Sequence, residues 1–171
     1  MRDFFTYPRD RVFFKNADGS IGFVEDVSSY GSTIVQNTIK KRGELRGTLS
    51  GITSADDAHH LFPVQTLKEN QWVKKGVEGG FEFNTGSVNG LGVKKYVKAT
   101  NTGRHGPHPQ LTKQIMDHMD YWANQTVNGV KNSSLTTAQT ADYMRGLANS
   151  LKNKINNSTV KLNDLNLNLP H

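Results

Sequence analysis

Residues 109–125, PQLTKQIMDHMDYWANQ, constrain the fold more than any other stretch of this chain. Leu111, Ile115, Met119 and Trp122 recur at helical spacing and form one apolar stripe. Pro109 suits the first helical position, where an N–H would have no partner within the helix. A helix with one apolar stripe needs the rest of the chain to cover it. A second helix is predicted from about Thr137 to Ile155, with Thr136 and Gln139 as a capping box and Met144, Leu147, Leu151 and Ile155 as its apolar face.

The other patterns are shorter. RVFFKNADGSIGFVE (11–25) sets two apolar, β-rich runs around Asp18-Gly19 and predicts a hairpin. TIVQNTIKKRG (33–43) predicts a short helix closed by Gly43. GELRGTLSGITSADD (43–57), rich in Gly, Ser and Thr, reads as loop with a little extended chain. AHHLFPV (58–64) is apolar, stops at Pro63 and predicts a strand or strand edge. In 64–80, Leu67, Trp72, Val73 and Val77 predict a helix ending at Gly79-Gly80. FEFNTGSVNGLGV (81–93) alternates before its glycines, predicting a strand that leads into a tight loop. The Asn-rich tail STVKLNDLNLNLP (158–170) predicts an extended packing arm. Together these patterns predict an α+β fold.

A length of 171 residues suits one domain with a real core. No apolar run is long enough to span a bilayer. MRDFFTYPRD lacks the basic and apolar regions of a signal peptide, so any export is expected to need another carrier. The chain has no cysteine, which excludes disulfides and thiolate metal sites. Any metal would be held by His, Asp, Glu, Asn or water. The net charge is +6, and most of the excess falls in 59–105, whereas 1–58 is neutral. A basic surface attracts polyanions, nucleic acid above all.

Four of the six histidines lie within that basic stretch or just past it: His59, His60, His105 and His108, with Asn84 and Asn89 between the pairs. Neighbouring strand residues point to opposite faces, so one member of His59-His60 can bind a metal while the other faces substrate. His105 and His108 stand three apart at a helix start, where a turn brings both imidazoles to one side. Plainer readings exist for each: a structural His pair, a closed zinc site, an ordinary Asn-Gly turn at Asn89-Gly90. Asp56 and Asp57 read as solvated, or as orienting an imidazole. His118 reads as a surface or packing residue, Trp72 and Trp122 as core, and IKKRGELR (39–46) as a solvated face.

The order AHH (58–60), Pro63, Asn89-Gly90 and then HGPHP (105–109) resembles the AHH family of the HNH/endonuclease VII nuclease superfamily. The resemblance spans about residues 55 to 122. One departure is the absence of an aromatic residue soon after the last His-Pro, where Gln110, Leu111 and Thr112 stand.

The resemblance implies a ββα-metal (His-Me finger) core, set here over 55–130; no motif decodes the N-terminal β-hairpin subregion over 1–54 or the helix and tail over 131–171, which are expected to brace the core. It implies that His59, His105 and His108 hold one divalent cation: Mg²⁺, Mn²⁺, Zn²⁺ or Ni²⁺. His60 would be the general base, and Asn89 would bind the metal or orient His60. Lys94, Lys95, Lys98 and Arg104 would hold phosphates.

The function implied is metal-dependent hydrolysis of DNA. The chain would be the C-terminal toxin module of a secreted bacterial polymorphic toxin, delivered within a larger protein and acting in the target-cell cytoplasm. An acidic cognate immunity protein would neutralise it, and no membrane partner is expected. The alternatives are an RNase of the same fold and a non-catalytic nucleic-acid-binding module.

Overall fold

The computed structural model describes residues 30–171 and, before them, the backbone of 11–15 and 21–25. Strands β1 (Arg11–Lys15) and β2 (Ile21–Glu25) pair antiparallel with Phe13 opposite Phe23, as the 11–25 pattern predicts. The Asp18-Gly19 turn lies outside the described residues.

Helix α1 (Thr33–Lys40) starts at Ser32, whose side chain accepts from the Val35 amide, and it buries Val35 and Ile39. It ends at Lys41 rather than Gly43, because the chain tightens there into a 3-10 helix, Arg42–Thr48. That helix occupies the first part of the segment expected to be loop. Strand β3 (Asp56–His60) follows. Pro63 then stands before α2 (Val64–Glu69), where no backbone N–H is needed.

The single helix expected over 64–80 is two, α2 and α3 (Gln71–Glu78). Asn70 makes the break: its Oδ1 accepts from the Trp72 and Val73 amides and opens α3 as an N-cap. The order expected for 81–93 is also reversed. Residues 81–85 are irregular, a single turn α4 (Gly86–Asn89) follows, and the strand β4 (Gly90–Lys94) comes last. β3 and β4 pair antiparallel, with Asp56 opposite Lys94 and His60 opposite Gly90.

Helix α5 (Pro109–Asn124) buries Leu111, Ile115, Met119 and Trp122, the stripe read from the sequence. A short hairpin, β5 (Thr126–Val127) and β6 (Val130–Lys131), leads to α6 (Thr137–Asn156). The Thr136–Gln139 capping box is formed. The tail holds one 3-10 turn, Leu162–Asp164, and seals the core with Leu162, Leu165 and Leu167 without joining a sheet.

The architecture is mixed α+β: helices combined with small two-stranded antiparallel sheets. One apolar cluster runs from Val35 on α1 to Leu167 in the tail, so the three segments delimited in the sequence share a core. Full burial of each Leu or Ile side chain contributes roughly 1.5–3 kcal/mol. Trp122 is buried, Trp72 is half-buried against the core, and His118 is buried. Among the described residues no helix is long and apolar enough to cross a membrane.

Close backbone approach fixes how α3 meets α6. A Cβ on Gly79, just past α3, would stand 2.0 Å from the Thr137 carbonyl oxygen at the start of α6. Backbone cannot yield as a flexible side chain can. Gly79→Ala is expected to cost about 1–3 kcal/mol in a denaturant titration, and an unchanged midpoint would contradict this packing.

Candidate functional site

The site is built where β3, the 95–108 loop and the start of α5 converge. Asp56 anchors the first strand. Its Oδ2 accepts from the Thr53 amide and hydroxyl, and its Oδ1 lies 2.8 Å from Lys94 Nζ on the paired strand. The Lys94 and Thr53 donors hold this carboxyl far below the usual carboxylate range. Arg46 adds two bonds, to the Asp56 and Thr53 carbonyls. The β3 register that carries His59 and His60 is therefore pinned at its first residue.

The 95–108 loop returns to the same place. Tyr96 N–H donates to the His105 carbonyl, and His105 N–H donates to the Lys94 carbonyl. The return needs Gly103, whose φ is +79° and whose Cβ would stand 1.7 Å from the Lys95 carbonyl oxygen. His108 is the residue before α5, so the helix start holds its imidazole against β3.

Three imidazoles meet there. The ring centroids of His59 and His108 are 4.8 Å apart, those of His59 and His105 5.3 Å, and those of His105 and His108 5.4 Å. One ring nitrogen from each lies within 4.8 Å of the others. His59 Nε2 and His108 Nδ1 are buried with no hydrogen-bond partner among the described residues. His105 Nδ1 lies 3.0 Å from Asp57 Oδ2, so an Nδ1–H donates to the carboxylate and Nε2 is the nitrogen available to a cation.

Burial pushes His59 well below the ordinary imidazole range, and the neighbouring His108 and His105 push it further. Burial, then His105, lowers His108 as well. Two imidazoles held uncharged with orphaned nitrogens, and a third with a carboxylate behind it, fit a divalent cation. Asp57 thus takes the imidazole-orienting role weighed for it, and Asp56 is a strand anchor.

His60 leaves β3 on the other face. Its Nε2 is 3.0 Å from Asn84 Oδ1, and its ring lies 5.2 Å from that of Phe83. Asn84 Nδ2 donates to the Thr38 carbonyl on α1, which fixes the amide so that Oδ1 faces His60. Burial lowers the pKa of His60, and the Asn84 bond partly offsets this.

Asn89 does neither thing expected of it. It is fully buried, its Oδ1 accepts from the Phe62 amide, and its Nδ2 donates to the Phe83 and Phe62 carbonyls. It clasps the backbone across the β3–β4 connection, and Asn84 orients His60 instead. No local pattern marks Asn84 for that task, because its partners are 24 and 46 residues away.

The expected phosphate-binding cations divide. Lys98 is exposed in the loop. Lys94 pairs with Asp56 but stays 62% exposed, and Lys95 bonds the Ser54 carbonyl at 3.0 Å. Arg104 is committed to the fold. Its Nε donates to the Val160 carbonyl and its Nη2 to the Ile155 carbonyl, tying the loop to the end of α6. His118 serves the core through the Pro170 carbonyl and the Tyr143 hydroxyl.

No protein-family model matches the chain, and neither the curated proteins nor the solved structures yield a match.

The depressed pKa of His59 has a consequence for the chelator-treated protein. The unfolded chain takes up a proton near the ordinary value of 6.5 that the folded chain does not, so stability is full above that pH and is lost below it. The melting temperature is expected to fall between about pH 7 and about pH 5, and His59→Gln should flatten the slope. Equal slopes for both proteins would contradict this assignment.

Proposed function

We propose that this protein is a metal-dependent endonuclease, as its resemblance to AHH-type nucleases implies. The observation that carries the reading is the placement of consecutive residues. His59 offers a buried, orphaned nitrogen to a His105–His108 pair, and His60 beside it is a fixed, uncharged imidazole. On this reading β3, β4 and α5 are a ββα-metal core, with His59, His105 and His108 as the cation's ligands. A bound divalent cation would supply neutralising charge at the phosphoryl oxygens and help the departing oxygen.

The rest falls to the chain's own groups. Asn84 Oδ1 accepts the Nε2–H of His60, which leaves the Nδ1 lone pair to take the proton of the attacking water. Because burial keeps His60 uncharged, it is ready as a base at neutral pH. Lys98 and the exposed Lys94 are placed to attract the substrate's phosphates, and the net charge of +6 favours a polyanion in general.

DNA is the substrate we propose, with the chain acting as the toxin module of a larger delivered protein in the target-cell cytoplasm. Its partner in the producing cell would be an acidic immunity protein, complementary in charge.

Supercoiled plasmid incubated with Mg²⁺, Mn²⁺, Zn²⁺, Ni²⁺ or EDTA tests the reading. Nicking should require metal, and His60→Ala should slow it by about 100-fold or more while leaving metal binding intact. Asn84→Ala should slow it less and move the acid limb of the pH profile to lower pH, since Asn84 raises the pKa of His60. Plasmid left intact while RNA is cut would turn the reading to an RNase of the same fold. Full activity in His60→Ala would refute the assignment of the base.

A further inference from the structure

Beyond His60, on the side away from the three-histidine cluster, an open groove of about 540 Å³ separates α1 from the 81–85 loop. It begins at Asn84, the residue that holds His60. Phe81 and Phe83, both buried, form its floor, and Phe83 is the ring against which His60 packs. Ile34 forms one wall and is 53% exposed. Asn37 and Lys41, one and two turns further along the same face of α1, line the edge.

We propose that this groove is a subsite for a nucleobase unstacked from the strand being cut, with Lys41 on the adjoining phosphate. The inference rests on the nuclease reading and names its substrate class. A nucleobase is flat and apolar on its faces and polar at its edge. The groove matches it with the exposed Ile34 side chain as its apolar wall and with the Asn37 amide and Lys41 ammonium at the rim, and its one carboxylate, Glu82, is paired with Arg145. A strand whose phosphate lies at His60 can run past Asn84 into the groove, because Asn84 borders both. In a duplex both base faces are covered by stacking, so only an unpaired or extruded base can enter. The preferred substrate is therefore single-stranded nucleic acid or a locally opened duplex, and sequence tolerance follows from apolar contact in place of edge readout.

The test measures binding in EDTA, where no cleavage occurs. Fluorescence anisotropy compares a labelled oligothymidylate, an abasic oligonucleotide of the same length and the corresponding duplex. The native protein should bind the oligothymidylate about tenfold tighter than the abasic strand. Ile34→Glu should erase that difference and leave abasic binding little changed, and its melting temperature should match the native value because Ile34 lies outside the core. Lys41→Ala should weaken both strands and flatten the salt dependence.

Equal affinity for the two strands, a preference for duplex, or a base preference that survives Ile34→Glu would each overturn the subsite. Failure to cut either plasmid or RNA with the base preference intact would sink the nuclease reading and leave the groove as a nucleobase-binding site without cleavage. Cleavage without any base preference would overturn the subsite alone.

Discussion

Two buried ring nitrogens without partners among the described residues, His59 Nε2 and His108 Nδ1, set the terms for the rest of this structure. Leaving a polar atom unsatisfied in the interior costs on the order of 1–3 kcal/mol. The surrounding elements nevertheless converge to create that arrangement. The Asp56–Lys94 pair fixes the strand, Gly103 turns the loop back to Lys95, and the start of α5 delivers His108. An Asp57 carboxylate stands behind the third imidazole. Orphaned ring nitrogens that face one another could hold a cation, and a bound cation would offset the cost that the protein alone bears.

The second constraint is the separation of two neighbouring histidines by the pleat of β3. His59 belongs to the cluster between β3 and α5, and His60 belongs to a chain of bonds that runs through Asn84 to the Thr38 carbonyl on α1. The N-terminal helix is thereby tied to the candidate base, and the C-terminal helix is tied to the loop of His105 through Arg104. A single core from Val35 to Leu167 makes these ties rigid. The segments on either side of the histidine motifs therefore position the site as well as supporting it.

Much of this was legible in the sequence where a pattern repeats over several turns. The Leu111, Ile115, Met119 and Trp122 stripe and the Thr136–Gln139 box place α5 and α6 within a residue of their observed bounds. The four histidines stand out in the sequence, but only the resemblance to AHH nucleases assigns His59, His105 and His108 as ligands, and the structure brings those three together. Features that depend on distant partners were not legible. Asn70 breaks the 64–80 helix, and its Nδ2 is held by Asp120 Oδ1 on α5. Asn84 and Asn89 carry the same amide, and only the fold decides that the first reaches His60 while the second reaches the Phe62 and Phe83 backbone. Arg104 adjoins His105 in sequence, yet its guanidinium turns to the carbonyls of Val160 and Ile155.

Direct titration of the chelator-treated protein with Zn²⁺ by calorimetry tests the central claim, that the three histidines form a cation site. The account predicts binding of about one equivalent and loss of that binding in His108→Ala. Absence of saturable binding, or an isotherm unchanged in His108→Ala, would contradict it.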